Sequence, residues 1–464
     1  MDLEEFRRAA HGVSDWMADY LRDLGDRRVV APVAPGEVRR QLPAHPPLDG
    51  EPFSRIREDL DRIILPGMTH WGHPGFFGYF PANHSPPSIL AEMFVAAMGA
   101  QCMSWQTSPA ATELEQVVME WLRRMLGLPD GFTGVIQDYA STATLVALIT
   151  ARDQVRDDLD RATVYVSRES HSSVAKGARL AGFRSELVRE VPVDDRYAMR
   201  PDALAAMIAE DRSHGLVPAA VVVTLGTTSS TAFDPLPAIG PIAREAGAWL
   251  HADAAFAGSA AIVPELAWIM AGTEFVDSLV FNPHKWLLVN HDCSVYFVRD
   301  PDRLLRSFSS SAEYLKTQYD SSAVNYRDWG VPLGRRFRAL KLWFVIRSYG
   351  VAGLQAMIRE HVRLGALFAS WIAADPDFLL AAPAPVALVC FRWVPSAGTR
   401  SDDELDHANR VLLERINAPG DLFLTHTVLS GRFVIRLALG HESTTEAVVA
   451  RVWNRVREAA RTLA

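Results

Sequence analysis

Phe281-Asn282-Pro283-His284-Lys285-Trp286-Leu287-Leu288 sets a lysine inside an apolar run, and Trp249-Leu250-His251-Ala252-Asp253-Ala254-Ala255-Phe256 sets a carboxylate inside another. A solvent-exposed lysine is protonated at neutral pH and is a poor nucleophile. Burial disfavours the ammonium, so a desolvated lysine becomes an amine able to attack a carbonyl. A buried aspartate is costly unless a cation faces it. Each residue alone has an ordinary reading, since lysines snorkel to water and strand-end aspartates cap helices or turns. Taken together, they describe a seat for a ring that carries both an aldehyde and a cationic nitrogen. Pyridoxal 5'-phosphate is such a ring.

Around these two stretches, residues 85–340 alternate short β-branched runs with helical patterns. Residues 163–166, 220–224 and 278–281 read as buried strands, and 143–153, 173–181 and 235–246 as helices between them. That alternation predicts an α/β domain with a mainly parallel sheet covered on both faces. Ligands of such sheets sit outside the carboxyl ends of the strands, where Asp253 and Lys285 both fall. Upstream, Phe6, Val13, Trp16, Met17, Tyr20 and Leu21 recur at helical spacing, and the Pro-rich stretch 31–52 reads as an extended arm. An amphipathic helix on such an arm packs either on a second subunit, giving a homodimer, or on its own body. A long helix is expected to run through Leu340 to Tyr349, and strands at 385–391 and 432–437 predict a small α+β C-terminal domain. The expected division is an N-terminal helical dimerisation arm at 1–82, a large α/β domain at 83–340 and the small domain at 341–464. Residues 307–331 carry little periodicity and read as a long connection, functional or mobile.

The 464-residue chain is 49% hydrophobic and 22% charged, an ordinary globular composition with room for two or three structural units. Its formal charge of −8 offers no basic excess to replace phosphate counterions, which argues against a nucleic-acid partner. Cys102, Cys293 and Cys390 are odd in number and far apart, matching neither a disulfide framework nor a metal site. The acidic start lacks an apolar secretory region, and no apolar run is long enough to cross a bilayer. A cytoplasmic protein with no membrane partner is expected.

A phosphate needs backbone N–H groups at a helix start, helped by short hydroxyl side chains. The stretch from Val135 to Leu145 supplies strand, small-residue turn and helix, with Ala140 and Ser141 at the helix start. Ser141 or Thr142 acting only as a helix cap is the other reading. Gly226-Thr227-Thr228-Ser229-Ser230-Thr231 is a second hydroxyl-rich strand end or a plain turn. His171 follows the 163–167 strand directly, placed to stack on an aromatic ligand or merely to start a helix. The stretch His70-Trp71-Gly72-His73-Pro74-Gly75-Phe76-Phe77-Gly78-Tyr79-Phe80-Pro81 is dense in aromatics and forms either a flat apolar slot or a satellite core.

In this order, the motifs resemble the aromatic-L-amino-acid decarboxylases of the group II pyridoxal-phosphate-dependent family. The resemblance runs nearly end to end. It rests on His70-Trp71 with Tyr79-Phe80-Pro81, Ser104-Trp105, Ser108-Pro109-Ala110, Thr112-Glu113-Leu114-Glu115 and Gly134-Val135-Ile136-Gln137. Further on come His171-Ser172-Ser173-Val174, Leu225-Gly226-Thr227-Thr228, His251-Ala252-Asp253-Ala254-Ala255, the Phe281 stretch through Asn290, and Gly334-Arg335-Arg336-Phe337-Arg338. The resemblance implies the aminotransferase-like fold type I, pyridoxal 5'-phosphate as cofactor, and a homodimer with its active site at the subunit interface. It implies that Lys285 bonds to the cofactor aldehyde, that Asp253 pairs with the pyridine nitrogen, and that His171 and Ala255 cover the two ring faces. Ala140, Ser141 and Asn282 would hold the phosphate, with Thr228 and His284 nearby. Tyr314, in Ala312-Glu313-Tyr314-Leu315-Lys316, aligns with a loop tyrosine that the family associates with protonating the product carbon. Relatives with phenylalanine there tend to release an aldehyde through an oxygen-consuming path, so Tyr314 favours the amine.

The activity implied is decarboxylation of an aromatic L-amino acid to the arylalkylamine and carbon dioxide. Trp71, Phe76, Tyr79, Phe80 and Pro81 would form the aromatic slot, with Gln101 and Met103 reaching it from a partner subunit. Gly334 stands where some plant relatives carry glycine for indolic substrates, which leans towards tryptophan or 5-hydroxytryptophan over phenylalanine, tyrosine or DOPA. Three departures from the family pattern bear on the pocket. Ala82 replaces a threonine frequent in animal relatives, Tyr139 replaces a small residue before Ala140, and His291 stands where phenylalanine is common. An aromatic acetaldehyde synthase of the same family is the competing reading; an aminotransferase and an inactive scaffold are more remote. No metal is expected.

Overall fold

Strands β1 (Thr133–Gln137), β2 (Ala162–Ser167), β3 (Val188–Val191), β4 (Val217–Thr224), β5 (Trp249–Asp253), β6 (Ser278–Phe281) and β7 (Ser294–Val298) form one sheet in the order β1-β7-β6-β5-β4-β2-β3. The structure, a computed structural model, describes residues 1–309, 312–396 and 398–463. β2 pairs in parallel with β3 and β4, β4 with β5, and β5 with β6, whereas β7 runs antiparallel to both β1 and β6. Every residue of β2, β5, β6 and β7 is buried, the signature of strands covered on both faces. The expected mainly parallel α/β sheet is present, with one reversed strand inserted. Two reversals in succession leave β1 pointing the same way as β6, so their carboxyl ends share an edge.

The helices between strands fall near their expected positions: Ala140–Gln154, Ser172–Leu180 and Leu236–Glu245. The first starts three residues before the expected position, because Ala140, Ser141 and Thr142 continue the helix instead of forming a separate turn. The N-terminal helix, Leu3–Arg22, is capped by the Asp2 carboxylate, which accepts the Glu5 N–H at 2.8 Å. None of its residues is buried. The arm at 31–52 is not wholly extended: Glu37–Gln41 forms a short helix after Gly36, whose φ of 90° starts the turn. Glu37 steadies that turn by accepting the Ala34 N–H at 3.0 Å.

The small C-terminal sheet is antiparallel, in the order β10-β11-β9-β8, built from β8 (Phe378–Leu380), β9 (Leu388–Trp393), β10 (Thr425–Leu429) and β11 (Arg432–Ala438). The Arg338–Ala374 helix leads to it and changes direction at Gly350, whose φ of 66° no helical residue adopts. The expected boundary at 340 falls within this helix. Residues 70–82 are strapped to the small domain by three backbone bonds: Phe77 N–H to Phe423 O, Phe423 N–H to Gly75 O, and Ala438 N–H to Phe77 O. The long connection at 307–331 contains two short 3-10 turns, Glu313–Leu315 and Tyr326–Asp328; its residues 310 and 311 lie outside the described residues. Among the described residues no helix is long and apolar enough to cross a membrane.

Candidate active site

The carboxyl edge of the large sheet gathers the titratable residues. Asp253 ends β5, Thr224 ends β4, and Lys285 lies one turn beyond β6 in the short helix Pro283–Trp286. His171 follows β2 and caps the Ser172–Leu180 helix, while Ala140 opens the helix after β1. A cavity of about 350 Å³ opens there. Its wall holds Ala140, Ser141, His171, Thr228, Asp253, Ala255, Asn282, His284 and Lys285 from the expected cofactor set, and Trp71, Tyr79, Phe80, Pro81 and Ala82 from the expected slot.

Charge at this cavity is unbalanced locally. The Asp253 carboxylate is 5% exposed and accepts the Ala255 N–H at 3.0 Å, yet it forms no ion pair among the described residues. A protonated ring nitrogen would give it the direct ion pair that Lys285, acting at longer range, does not. Burial pushes the Lys285 ammonium below its ordinary range; Asp253 opposes this and the Arg436 guanidinium adds to it. The Lys285 Nζ stands 5.1 Å from the centre of the Phe80 ring rather than in an ion pair. Such a lysine has access to the free amine that imine formation needs. His171 is held by its Nδ1, which accepts the Ser173 N–H at 3.2 Å, so the neutral ring carries its proton on Nε2. Desolvation lowers its basicity, partly offset by Asp253.

The phosphate end is legible in the backbone. The Ala140–Gln154 helix has no side-chain cap, so neither Ser141 nor Thr142 plays that role, and Ala140 and Ser141, which line the cavity, have N–H groups with no acceptor within the helix. Asn282 has its Oδ1 fixed by the Ser294 hydroxyl at 2.6 Å, which leaves its Nδ2 as the donor group. One strand, β7, separates β1 from β6. With strands ~4.8 Å apart, the helix start beyond β1 and the lysine turn beyond β6 are offset by about 10 Å. That offset sets the width of the cavity between the helix start and the lysine turn.

The opposite wall is aromatic. Trp71 stacks near Tyr79 with ring centres 5.4 Å apart, and Phe80 stacks on Phe256 at 4.0 Å, which stacks on Trp286 at 4.6 Å. Asn83 ties this wall to the lysine turn: its N–H donates to His284 O at 3.1 Å, and its side chain donates to Lys285 O and Gly440 O. Asn83, Phe256 and Arg436 escaped the sequence reading. Arg436, on β11, is 4% exposed and donates to Thr228 O, Ser229 O and the Thr425 hydroxyl, all neutral acceptors. A buried arginine without a carboxylate partner was the available signal, but it shows only after folding.

Five expected residues are not brought to this cavity. Phe76 is buried behind the wall, its ring 4.6 Å from that of Trp71 and 5.6 Å from that of Phe423, because residue 76 bridges to the small domain. Gln101 and Gly334 meet each other elsewhere: the Gln101 side chain accepts the Arg335 N–H at 2.8 Å. Met103 lies beside them in sequence and accepts the Arg327 N–H. Tyr314 is 80% exposed on its 3-10 turn. No group of acidic, histidine or cysteine side chains that could hold a metal ion occurs among the described residues.

Fold and site together define a pyridoxal-phosphate enzyme of the aminotransferase-like fold type I. Residues 35–394 match the pyridoxal-dependent decarboxylase conserved domain, and the chain belongs to that decarboxylase family. It is 42% identical to phenylacetaldehyde synthase of Arabidopsis thaliana, over 99% of this chain and 96% of that protein. It is 43% identical to aromatic-L-amino-acid decarboxylase of Sus scrofa, over 98% of this chain and 96% of that protein. Among solved structures, Oryza sativa TDC with PLP and tryptamine superposes with a TM-score of 0.97 at 38% identity, covering 100% of this chain and 99% of that one.

Proposed function

We propose that this enzyme decarboxylates an aromatic L-amino acid to its arylalkylamine, with an indolic amino acid as the preferred substrate. The observation that carries this is the pairing, in one cavity, of an ion-pair-free Lys285 and Asp253 with an aromatic wall at Trp71, Tyr79 and Phe80. Pyridoxal phosphate, when bound, supplies an electron-withdrawing ring that takes up the electron pair left as the carboxylate departs. Lys285 would hold the cofactor through Nζ, with its amine freed by burial. Asp253 keeps the ring nitrogen protonated, and His171 and Ala255 pack the ring faces. Ala140, Ser141 and Asn282 bind the phosphate, with Thr228 and His284 beside them. Arg436 and Lys285 make the cavity attractive to an anionic carboxylate.

Trp71, Tyr79, Phe80, Pro81 and Ala82 receive the aromatic side chain. The indolic preference draws on Gly334, where a Cβ would come within 3.2 Å of the Gln101 amide and displace it. Tyr314 is the proposed proton donor to the product carbon, which requires its loop to close over a cavity. We take the working form to be a homodimer. The Leu3–Arg22 helix has no fully buried residue, although Tyr20 reaches His70 and Trp16 reaches Asp61, and Phe6, Leu90, Phe94 and Met98 are all more than half or about half exposed. A partner covering these faces would bring Gln101, Met103 and Gly334 to a cavity. The three cysteines are free and buried, which accords with a cytoplasmic setting.

Measuring carbon dioxide release and product mass across tryptophan, 5-hydroxytryptophan, phenylalanine, tyrosine and DOPA tests the reading. Amine from an indolic acid in the highest yield supports it. No carbon dioxide from any of them refutes the activity, and aldehyde formed with oxygen uptake replaces it by the acetaldehyde synthase reaction.

A further inference from the structure

We propose that His291 and Tyr139 are two further cofactor-binding residues, which close the outer side of the phosphate seat and add hydrogen-bond donors to it. The inference rests on the phosphate seat at Ala140, Ser141 and Asn282. Both rings line the same cavity as those residues. Tyr139 precedes Ala140 directly and is the N-cap of the Ala140–Gln154 helix, but its side chain makes no capping bond. Its phenol is therefore available at the helix start, where it is 45% exposed at the rim.

His291 comes to the same place from β7's leading turn. Its ring stacks on His284 with centres 4.2 Å apart and planes 27° apart. The Tyr139 ring lies 5.6 Å from His284 and 5.7 Å from His291, so the three rings form one cluster. His284 is 1% exposed, and its Nδ1 accepts the Cys293 N–H at 3.0 Å, which places its proton on Nε2. The inner ring is thus fixed in direction, and His291 is stacked on a rigid support. The backbone beside His291 is anchored too, because Asp292 receives two bonds from Arg338, each 2.9 Å. Lys341, paired with Glu92 at 2.7 Å, and Lys285 contribute positive charge around the pair of histidines, and Asp292, paired with Arg338, contributes negative charge. Among the described residues neither the His291 ring nor the Tyr139 hydroxyl is assigned a hydrogen bond in the protein.

A doubly charged phosphate gains most from donors that are held in place and screened from water. The helix start supplies two backbone N–H groups; His291 and Tyr139 add an imidazole N–H and a phenol O–H, and their rings narrow the solvent path. A phenylalanine at 291 would keep the shape and lose the donor. A small residue at 139 would lose both shape and donor.

Equilibrium binding of pyridoxal 5'-phosphate and of pyridoxal, which lacks the phosphate, to apo protein separates these effects, with intrinsic fluorescence as the readout. For His291→Phe, affinity for the phosphorylated cofactor should fall about tenfold while that for pyridoxal stays within about twofold. Tyr139→Phe should act in the same direction, the double variant more strongly, and His291→Asn, which keeps a donor, should recover part of the loss. Equal losses for both ligands, or no loss for either, would overturn the proposal. Inorganic phosphate competing with the cofactor in wild type but failing to do so in Ser141→Pro establishes the seat itself. Absence of that competition in wild type sinks the seat, whereas competition that persists unchanged in His291→Phe sinks only the role of His291.

Discussion

Replacing Asp253 with asparagine removes a charge and little volume, and the structure predicts opposite effects on the empty and loaded protein. An amide oxygen still accepts the Ala255 N–H, so the local turn is kept. In the empty protein Asp253 is 5% exposed and forms no ion pair among the described residues, a desolvated charge compensated only at longer range by Lys285. Removing it should stabilise the apo form by about 1–3 kcal/mol. Unfolding entropy near 2.1 cal/mol/K per residue, over 464 residues, makes that a rise of roughly 1–3 °C in Tm. In the loaded protein the same change breaks a buried ion pair with the ring nitrogen, at a cost of roughly 3–5 kcal/mol. At about 1.4 kcal/mol per factor of ten, turnover or cofactor affinity should fall by roughly two to four orders of magnitude. Carbon dioxide release at saturating cofactor, with melting curves of apo and loaded protein, reads both signs. A loaded variant within about threefold of wild type, or an apo form that melts lower, would refute the electrostatic account of this site.

Lys285→Ala should abolish turnover, and borohydride reduction followed by peptide mass spectrometry should lose the pyridoxyl label that wild type carries at 285; a label retained elsewhere counts against the assignment. Tyr314→Phe should shift product from amine towards aldehyde with oxygen uptake, and an unchanged product ratio would remove Tyr314 from the proton-transfer step. Asn83→Ala cuts the two side-chain bonds, to Lys285 O and Gly440 O, and keeps the backbone bond to His284 O. It should lower kcat/KM more than Tm, and the reverse pattern would make Asn83 merely structural. Burial holds His251 and His361 at about 4 and His284 at about 2, so all three are neutral in the folded protein. Unfolding lets them bind protons below their usual range near 6.5, so stability is full above that pH and falls as pH drops towards 4. These three contribute a slope of roughly 4 kcal/mol per pH unit at most. His441, held at about 3, adds to it, and Asp234, raised by burial to about 7, opposes it. Urea midpoints that do not move between about pH 7 and about pH 5 would contradict the net fall.

Much of the site was legible because its logic is local. Lys285 and Asp253 stand out as charges in apolar runs, and the turn before Ala140 carries its small residues in sequence. Strand ends then place them on one edge without further information. Arg436 was hidden because its position depends on how β11 meets the 226–231 turn, a contact between segments far apart in the chain. Phe256 read as one more apolar residue, although its ring lies between Phe80 and Trp286. Phe76 and Tyr79 look alike in an aromatic loop, yet the bridge to Phe423 turns one inwards and leaves the other at the rim. The short helix at Glu37–Gln41 escaped notice because prolines on either side dominate the composition there. Gln101, Met103, Gly334 and Tyr314 lie off the cavity, a placement that no periodicity in the sequence reports.

The reversed strand β7 works as a ruler. It fixes, by main-chain hydrogen bonding, the spacing between the helix start beyond β1 and the Asn282–Lys285 turn beyond β6, so substitutions at the cavity wall change its lining while its width stays as the sheet sets it.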